Sequence, residues 1–203
     1  MAMNYWHRLM CRTAAWEWVT ATQIVPWVTR EVELGPSALE IGPGFGANVA
    51  PLRDRTVDLA GLEIDPILAA RLRTRFAGGL RVVDGDATAM PLPDKEFDSV
   101  VCFTMLHHVP SPAQQDDLFA EALRVLRPGG VFAGSDGLDN RLFRLQHLGD
   151  TCVPVPPDTL ADRLASAGFT GIDVETGRAM FRFRAERPAD RPTAEGFSER
   201  RKA

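Results

Sequence analysis

Leu39-Glu40-Ile41-Gly42-Pro43-Gly44-Phe45-Gly46-Ala47-Asn48 is the stretch that decides how this chain folds. A short apolar run carries one acid, meets glycine at every second position, and passes into residues suited to a helix. A strand ending on such a turn stops at a nucleotide. Glycine has no Cβ, so the backbone can turn sharply and approach a ligand closely. Gly42, Gly44 and Ala47 satisfy the G-x-G-x-x-G/A spacing of a dinucleotide site, but a glycine turn that binds nothing satisfies it too. Residues elsewhere must choose the ligand.

Working outward, strand and helix patterns alternate. Ala38–Ile41, Asp58–Glu63, Leu80–Val83, Asp98–Phe103 and Val131–Ser135 read as strands. Ala47–Arg53, Pro66–Phe76 and Ser111–Leu126 read as the helices between them, and Asp158–Ala167 as a later helix closed by Gly168. Such alternation predicts an α/β, doubly wound, mostly parallel sheet with helices on both faces. Ile172–Glu175 and Met180–Ala185 are joined by only Thr176-Gly177-Arg178, which predicts a C-terminal hairpin and one antiparallel strand. Residues 1–34 read as a helical segment, with Pro26 as a kink or restart. Residues 35–185 form the ligand-binding domain, and residues 186–203, rich in Arg, Pro, Asp, Glu and Ser, are expected to be a disordered tail.

The 203 residues suffice for one domain with a sizeable core. A net charge of −4 argues against a nucleic-acid backbone as partner. Cys11, Cys102 and Cys152 are far apart, with no C-x-x-C, so neither a disulfide framework nor a zinc site is expected. A metal is not implied, because His107 and His108 are adjacent and no other ligand cluster accompanies them in the sequence. No run has the length of a membrane span. His7, Arg8, Arg12 and Glu17 interrupt the N-terminus, so it lacks a signal peptide's apolar core. The expectation is a cytoplasmic protein with no integral membrane association; oligomeric state is not predicted.

Three acids narrow the ligand. Glu40 precedes the first glycine, Glu63 ends the second strand, and Asp86 follows the third. In a doubly wound sheet the C-terminal strand ends line one crevice, so these acids should converge. Glu63 suits two ribose hydroxyls and Asp86 an adenine amino group. A carboxylate at Glu40 would repel a pyrophosphate but hold a cation. S-adenosylmethionine, with adenine, ribose, an ammonium and a sulfonium but no phosphate, meets all three requirements.

These residues resemble the class I S-adenosylmethionine-dependent methyltransferases. The resemblance rests on Glu40–Gly46, Gly61-Leu-Glu-Ile-Asp-Pro66, Gly85-Asp-Ala87, Phe97–Phe103, Leu106-His-His-Val109 and Leu126-Arg-Pro-Gly-Gly130, in the family's order. The nearest flavour is the ubiquinone and menaquinone group. The resemblance implies a seven-stranded Rossmann-like sheet with one antiparallel strand. It implies that Gly42, Gly44 and Gly46, with Asn48 beside them, pass under the methionine part. Glu63 would hold the ribose, Ile64 would pack on the adenine, and Gly85, Asp86 and Ala87 would flank it. The backbone of Phe103 and Thr104 would meet the ammonium. The ribosomal RNA adenine dimethyltransferases share the first motifs, but their Asn-Leu-Pro-Tyr-like segment is replaced here by Phe103-Thr-Met-Leu-His-His108.

The reading is therefore a methyltransferase acting on a small-molecule acceptor, apolar or aromatic in character. A non-catalytic S-adenosylmethionine-binding module is the alternative, followed by an RNA adenine methyltransferase or an NAD-dependent oxidoreductase. His107 and His108 are candidate bases, or else residues packed beside the cofactor. Trp6, Trp18, Arg141 and His147 are candidate acceptor contacts, or else surface residues. Trp16 and Trp27 read as core.

Overall fold

The structure, a computed structural model, describes residues 5–190. Seven strands form one sheet: β1 (Ser37–Ile41), β2 (Asp58–Glu63), β3 (Arg81–Asp84), β4 (Phe97–Phe103), β5 (Leu126–Gly137), β6 (Thr170–Thr176) and β7 (Met180–Glu186). Their order is β3-β2-β1-β4-β5-β7-β6. β1 to β5 pair in parallel, and β7 is antiparallel to both β5 and β6. This is the expected doubly wound α/β sheet with its single antiparallel strand. The strand order reverses between β1 and β4, where such sheets open a crevice at their C-terminal edge.

Eight α-helices accompany the sheet among the described residues: α1 (Tyr5–Met10), α2 (Ala14–Val19), α3 (Val25–Val28), α4 (Val49–Arg53), α5 (Pro66–Arg75), α6 (Pro112–Val125), α7 (Arg141–Gln146) and α8 (Pro157–Ala167). Side chains alternate across each strand, so each strand feeds two cores. Leu39 and Ile41 of β1, Val100 and Cys102 of β4, and Phe132 of β5 pack with Leu118 and Phe119 of α6 and Leu160 and Leu164 of α8. The intervening Ala38, Val101, Phe103 and Ala133 pack with Val25 and Val28 of α3 and Val49 and Leu52 of α4. Every strand residue named here is almost fully buried.

Pro26 marks a restart, standing in the first turn of α3. A π-helical turn, Thr20–Ile24, lies between α2 and α3, and the Val25 amide reaches back to the Thr20 carbonyl. Proline has no N–H to donate and crowds the preceding turn, which favours the wider spacing. The turn buries Thr20, whose hydroxyl donates to the carbonyls of Glu17 at 3.0 Å and Ala47 at 3.3 Å. The N-terminal helices are thereby tied to the glycine turn.

At the other end the fold runs further than the sequence suggests. β7 continues through Glu186, and Arg187 exchanges backbone hydrogen bonds with Gly129 and Gly130. The Arg187 guanidinium also donates to the carbonyls of Leu123, Arg124 and Leu126. The tail expected from residue 186 thus begins with residues built into the sheet, because each supplies backbone or side-chain donors to α6 and β5. The rest of that expectation, residues 191–203, lies outside the described residues. No described helix is long and apolar enough to cross a membrane.

Candidate functional site

A cavity opens at the C-terminal edge of β1, β2 and β4. Gly42, Gly44, Asn48, Glu63 and Ile64 line one side. Gly85, Asp86 and Ala87 follow along the loop after β3, and Phe103 and Thr104 close the end of β4. Parallel strands deliver these residues to one edge because their register is shared, with Ile41 opposite both Leu62 and Cys102.

The glycines carry different duties. Gly42, Gly44 and Gly46 all have positive φ, at +67°, +57° and +82°. A Cβ on Gly46 would lie 2.4 Å from a ring carbon of Phe76, so Gly46 is required by packing and stands outside the cavity wall. A Cβ on Gly44 would meet nothing nearer than the Gly42 carbonyl, at 4.0 Å. The space above Gly44 is therefore a cradle that a side chain would fill and a ligand can use.

Glu63 is 5 % exposed, and backbone donors hold both of its oxygens. Gly44 N–H donates to Oε2 at 2.9 Å, and Asp65 N–H donates to Oε1 at 2.9 Å. Burial raises its pKa, and these two bonds oppose the rise. Each carboxylate oxygen retains a second lone pair, so the fixed group can still accept two ligand hydroxyls. Asp86 Oδ1 accepts from the amide and the hydroxyl of Thr88, both at 2.9 Å. Ile64, 41 % exposed at the rim, offers an apolar face for a base. Thr104 has φ +50°, and its amide donates to the Ser135 carbonyl at 2.8 Å. A β-branched residue in this region costs about 1–3 kcal/mol and is held there by its surroundings.

Glu40 departs from its expected place. It is fully buried beneath the glycine turn and does not line the cavity. Leu39 and Ile41 point into one core, so Glu40 points to the other face, where α4 begins. There Asn48 Nδ2 donates to Glu40 Oε1 at 2.8 Å, while Oε2 has no hydrogen-bond partner. Burial pushes its pKa up to about 7.

The acceptor side differs most from expectation. His108 lines the cavity, whereas His107 sits behind it, 2 % exposed. Asp136, after β5, accepts from the His107 amide at 2.9 Å and pairs with its Nδ1 at 2.5 Å. His147, expected at the acceptor rim, is buried beside both, with ring centroids 4.6 Å from His107 and 5.7 Å from His108. His107 and His108 thus do have a third histidine with them, which sequence distance concealed. Arg141 is exposed at the start of α7, away from the cavity. Trp18 is 61 % exposed and off the cavity, while Trp16 and Trp27 pack against the core as read, and Trp16 also lines the cavity. Residues two apart on a helix project to nearly opposite sides, so only one of this pair can face inward. The side chain of Trp6 lies outside the described residues. Met105 and Gln114, which the sequence does not single out as site residues, also line the cavity, as does Val109, the last residue of the Leu106–Val109 motif.

A glycine cradle, a pinned acid for hydroxyls and an apolar shelf together fit S-adenosylmethionine. Comparison with known proteins agrees. Residues 39–134 match a family model described as a methyltransferase domain. A fatty-acid O-methyltransferase of Mycolicibacterium smegmatis is 39% identical over 106 residues, half of this chain and 37% of that protein. A ubiquinone biosynthesis O-methyltransferase of Pseudomonas entomophila is 28% identical over 132 residues, 62% of this chain and 55% of that protein. The chain spans between 37% and 65% of the length of the first curated relatives it matches. An S-adenosylmethionine-dependent methyltransferase from Archaeoglobus fulgidus has the same fold, with a TM-score of 0.74 at 15% identity, covering 90% of this chain and all of that one.

Proposed function

We propose that this chain is a class I S-adenosylmethionine-dependent methyltransferase that transfers a methyl group to a small apolar or aromatic acceptor, a reading its methyltransferase-domain match supports. The observation that carries the reading is the cavity itself. One part holds Glu63 rigidly against an open glycine cradle, and the lining also includes the apolar Trp16, Met105 and Val109, with His108, Arg8 and Gln114 as polar groups.

The cofactor supplies a methyl carbon already activated by its sulfonium, so alignment carries much of the rate: well-oriented reactants reach effective molarities of about 10⁵–10⁸ M. Glu63 orients the ribose, the cradle at Gly44 admits the methionine chain, and Ile64 supports the base. Trp16, Met105 and Val109 exclude water and favour an apolar acceptor body. His108 is the histidine that lines the cavity and stands nearest the acceptor's place. His107, whose ring centroid is 4.1 Å from that of His108, is a positioning residue clamped by Asp136. The names of the fatty-acid and ubiquinone relatives support an apolar acceptor with an oxygen nucleophile.

Calorimetry tests the cofactor: S-adenosylmethionine should bind and NADH should not. Release of S-adenosylhomocysteine across a panel of hydroxylated lipids, quinols and amines tests the acceptor. Turnover with hydrophilic amines alone would overturn the apolar acceptor. Cofactor binding with no turnover on any member would favour a binding module. His108→Ala should lower turnover at least tenfold and leave cofactor affinity within threefold; unchanged turnover would remove His108 from the reaction.

A further inference from the structure

We propose that His107, His108 and His147 form a three-histidine site for a divalent ion of the zinc class, with a remaining coordination position open toward the cavity for an oxygen ligand. One ring nitrogen from each residue lies within 4.8 Å of the other two. What makes this more than proximity is how the opposite nitrogens are used.

Each Nδ1 faces an oxygen that can only accept. His107 Nδ1 pairs with the Asp136 carboxylate at 2.5 Å, His108 Nδ1 lies 3.2 Å from the Thr151 carbonyl, and His147 Nδ1 lies 2.7 Å from the Phe143 carbonyl. A carbonyl or carboxylate requires an N–H, so each ring carries a proton on Nδ1, and Nε2 is the atom through which each would ligate a cation. This is the outer-shell arrangement that orients metal-binding histidines: the second ring N–H is donated to a carboxylate or backbone carbonyl. The buried Asp136 carboxylate on one ring supplies one compensating charge.

A second observation stands apart from the clustering. His107 is 2 % exposed, and its Nε2 has no hydrogen-bond partner. A buried ring nitrogen with nothing to bond is costly and unusual in a native interior, and a cation would satisfy it. Asp136 is equally committed. Its Oδ1 also accepts from Gly137 N–H at 2.7 Å, and its Oδ2 from His107 N–H at 2.9 Å, so the first ligand is fixed from ring and backbone alike.

The geometry indicates the kind of ion. Three imidazoles suit zinc, copper, nickel and cobalt rather than magnesium or calcium, which take oxygen ligands. An ion held at about 2.0–2.1 Å in a tetrahedral site sets its nitrogens about 3.4 Å apart, so the rings close by roughly 1 Å on binding. His108 has the longest Nδ1 contact of the three and lines the cavity. Three protein ligands leave an open position, as in catalytic rather than structural zinc sites. That the open position takes an acceptor oxygen rests on the methyl-transfer reading; that the site binds metal does not.

The test uses the full chain, stripped with a chelator and titrated with Co²⁺ and then Zn²⁺. The expected result is one Co²⁺ per chain, with a visible d–d band, displaced by Zn²⁺. His147→Gln should weaken Co²⁺ binding at least 100-fold, and Asp136→Asn about 10–100-fold. S-adenosylhomocysteine affinity, measured in parallel, reports whether each variant is folded and whether the cofactor reading holds. If His147→Gln loses both ligands, nitrogen NMR of the wild-type rings decides: the chain has only four histidines, and Zn²⁺ should move the Nε2 signals of His107, His108 and His147 together. No Co²⁺ band, binding that survives His147→Gln, or Zn²⁺ shifts confined to His7 would each overturn the proposal.

Discussion

Replacing Glu40 with Gln should reverse part of this protein's response to pH. Glu40 is wholly buried, has one hydrogen bond from Asn48, and has one oxygen without a partner. Its pKa rises from 4.5 to about 7, chiefly because burial penalises the charged form. A folded-state pKa above the unfolded one means that the folded state binds the extra proton. Stability is then unaffected below pH 4.5, falls as pH rises from there, and levels off above pH 7. At about 1.4 kcal/mol per pH unit, the full loss is about 3 kcal/mol, of which about 2 kcal/mol falls between pH 5.5 and 8. Glutamine keeps an acceptor for Asn48 and cannot ionise. Urea unfolding of both proteins at the two pH values measures the difference. The variant should gain about 2 kcal/mol relative to wild type on going from pH 5.5 to 8. A cation in the cavity favours the ionised acid, so S-adenosylmethionine should bind wild type more tightly as pH rises through 7, and the variant should lose that slope. Parallel pH profiles for the two proteins would refute the burial argument and the electrostatic role built on it.

The remaining predictions separate holding the fold from holding the ligand. Gly44→Ala should cost about 1–2 kcal/mol from its positive φ yet weaken S-adenosylhomocysteine binding at least tenfold, as read by melting and calorimetry. Gly46→Ala meets the Phe76 ring at 2.4 Å and should show the opposite balance, with a loss of more than about 3 kcal/mol in stability. Glu63→Gln keeps acceptor capacity on one oxygen only, so cofactor affinity should fall about 10–100-fold, equivalent to about 1.5–3 kcal/mol. Arg124 donates to the carbonyls of Met90 and Leu92 and to Glu121, which in turn accepts from Met90 N–H. Arg124→Met should cost about 2 kcal/mol by leaving these groups unpaired, and hydrogen exchange should rise first in the loop between β3 and β4.

The parts of the site legible in the sequence are those that depend on short spacing. The glycine turn, the acid at the end of β2 and the Asp86 turn each lie within a few residues of a strand end. A parallel sheet aligns strand ends, so their convergence follows from topology once the alternation of strand and helix is read. The hairpin that creates the antiparallel strand was legible for the same reason: its link is too short for any other connection.

What the tertiary structure decided is contact across long separations. Alternation along β1 required Glu40 to face away from Leu39 and Ile41, but only the docking of α4 buried it under Asn48. The sequence assigns Trp16 to the core and Trp18 to the acceptor side, but the seat of α2 on the glycine turn, held by Thr20, puts Trp16 at the cavity and Trp18 in solvent. His147 is far along the chain from His107, and α7 brings it back because Phe143 packs where Gly137 leaves no side chain, within 2.3 Å of the Cβ that another residue would carry. The nucleotide half of the site was thus encoded in local backbone chemistry. The acceptor half, with its histidine trio, depended on which helix faces the packing of α2 and α7 turned inward.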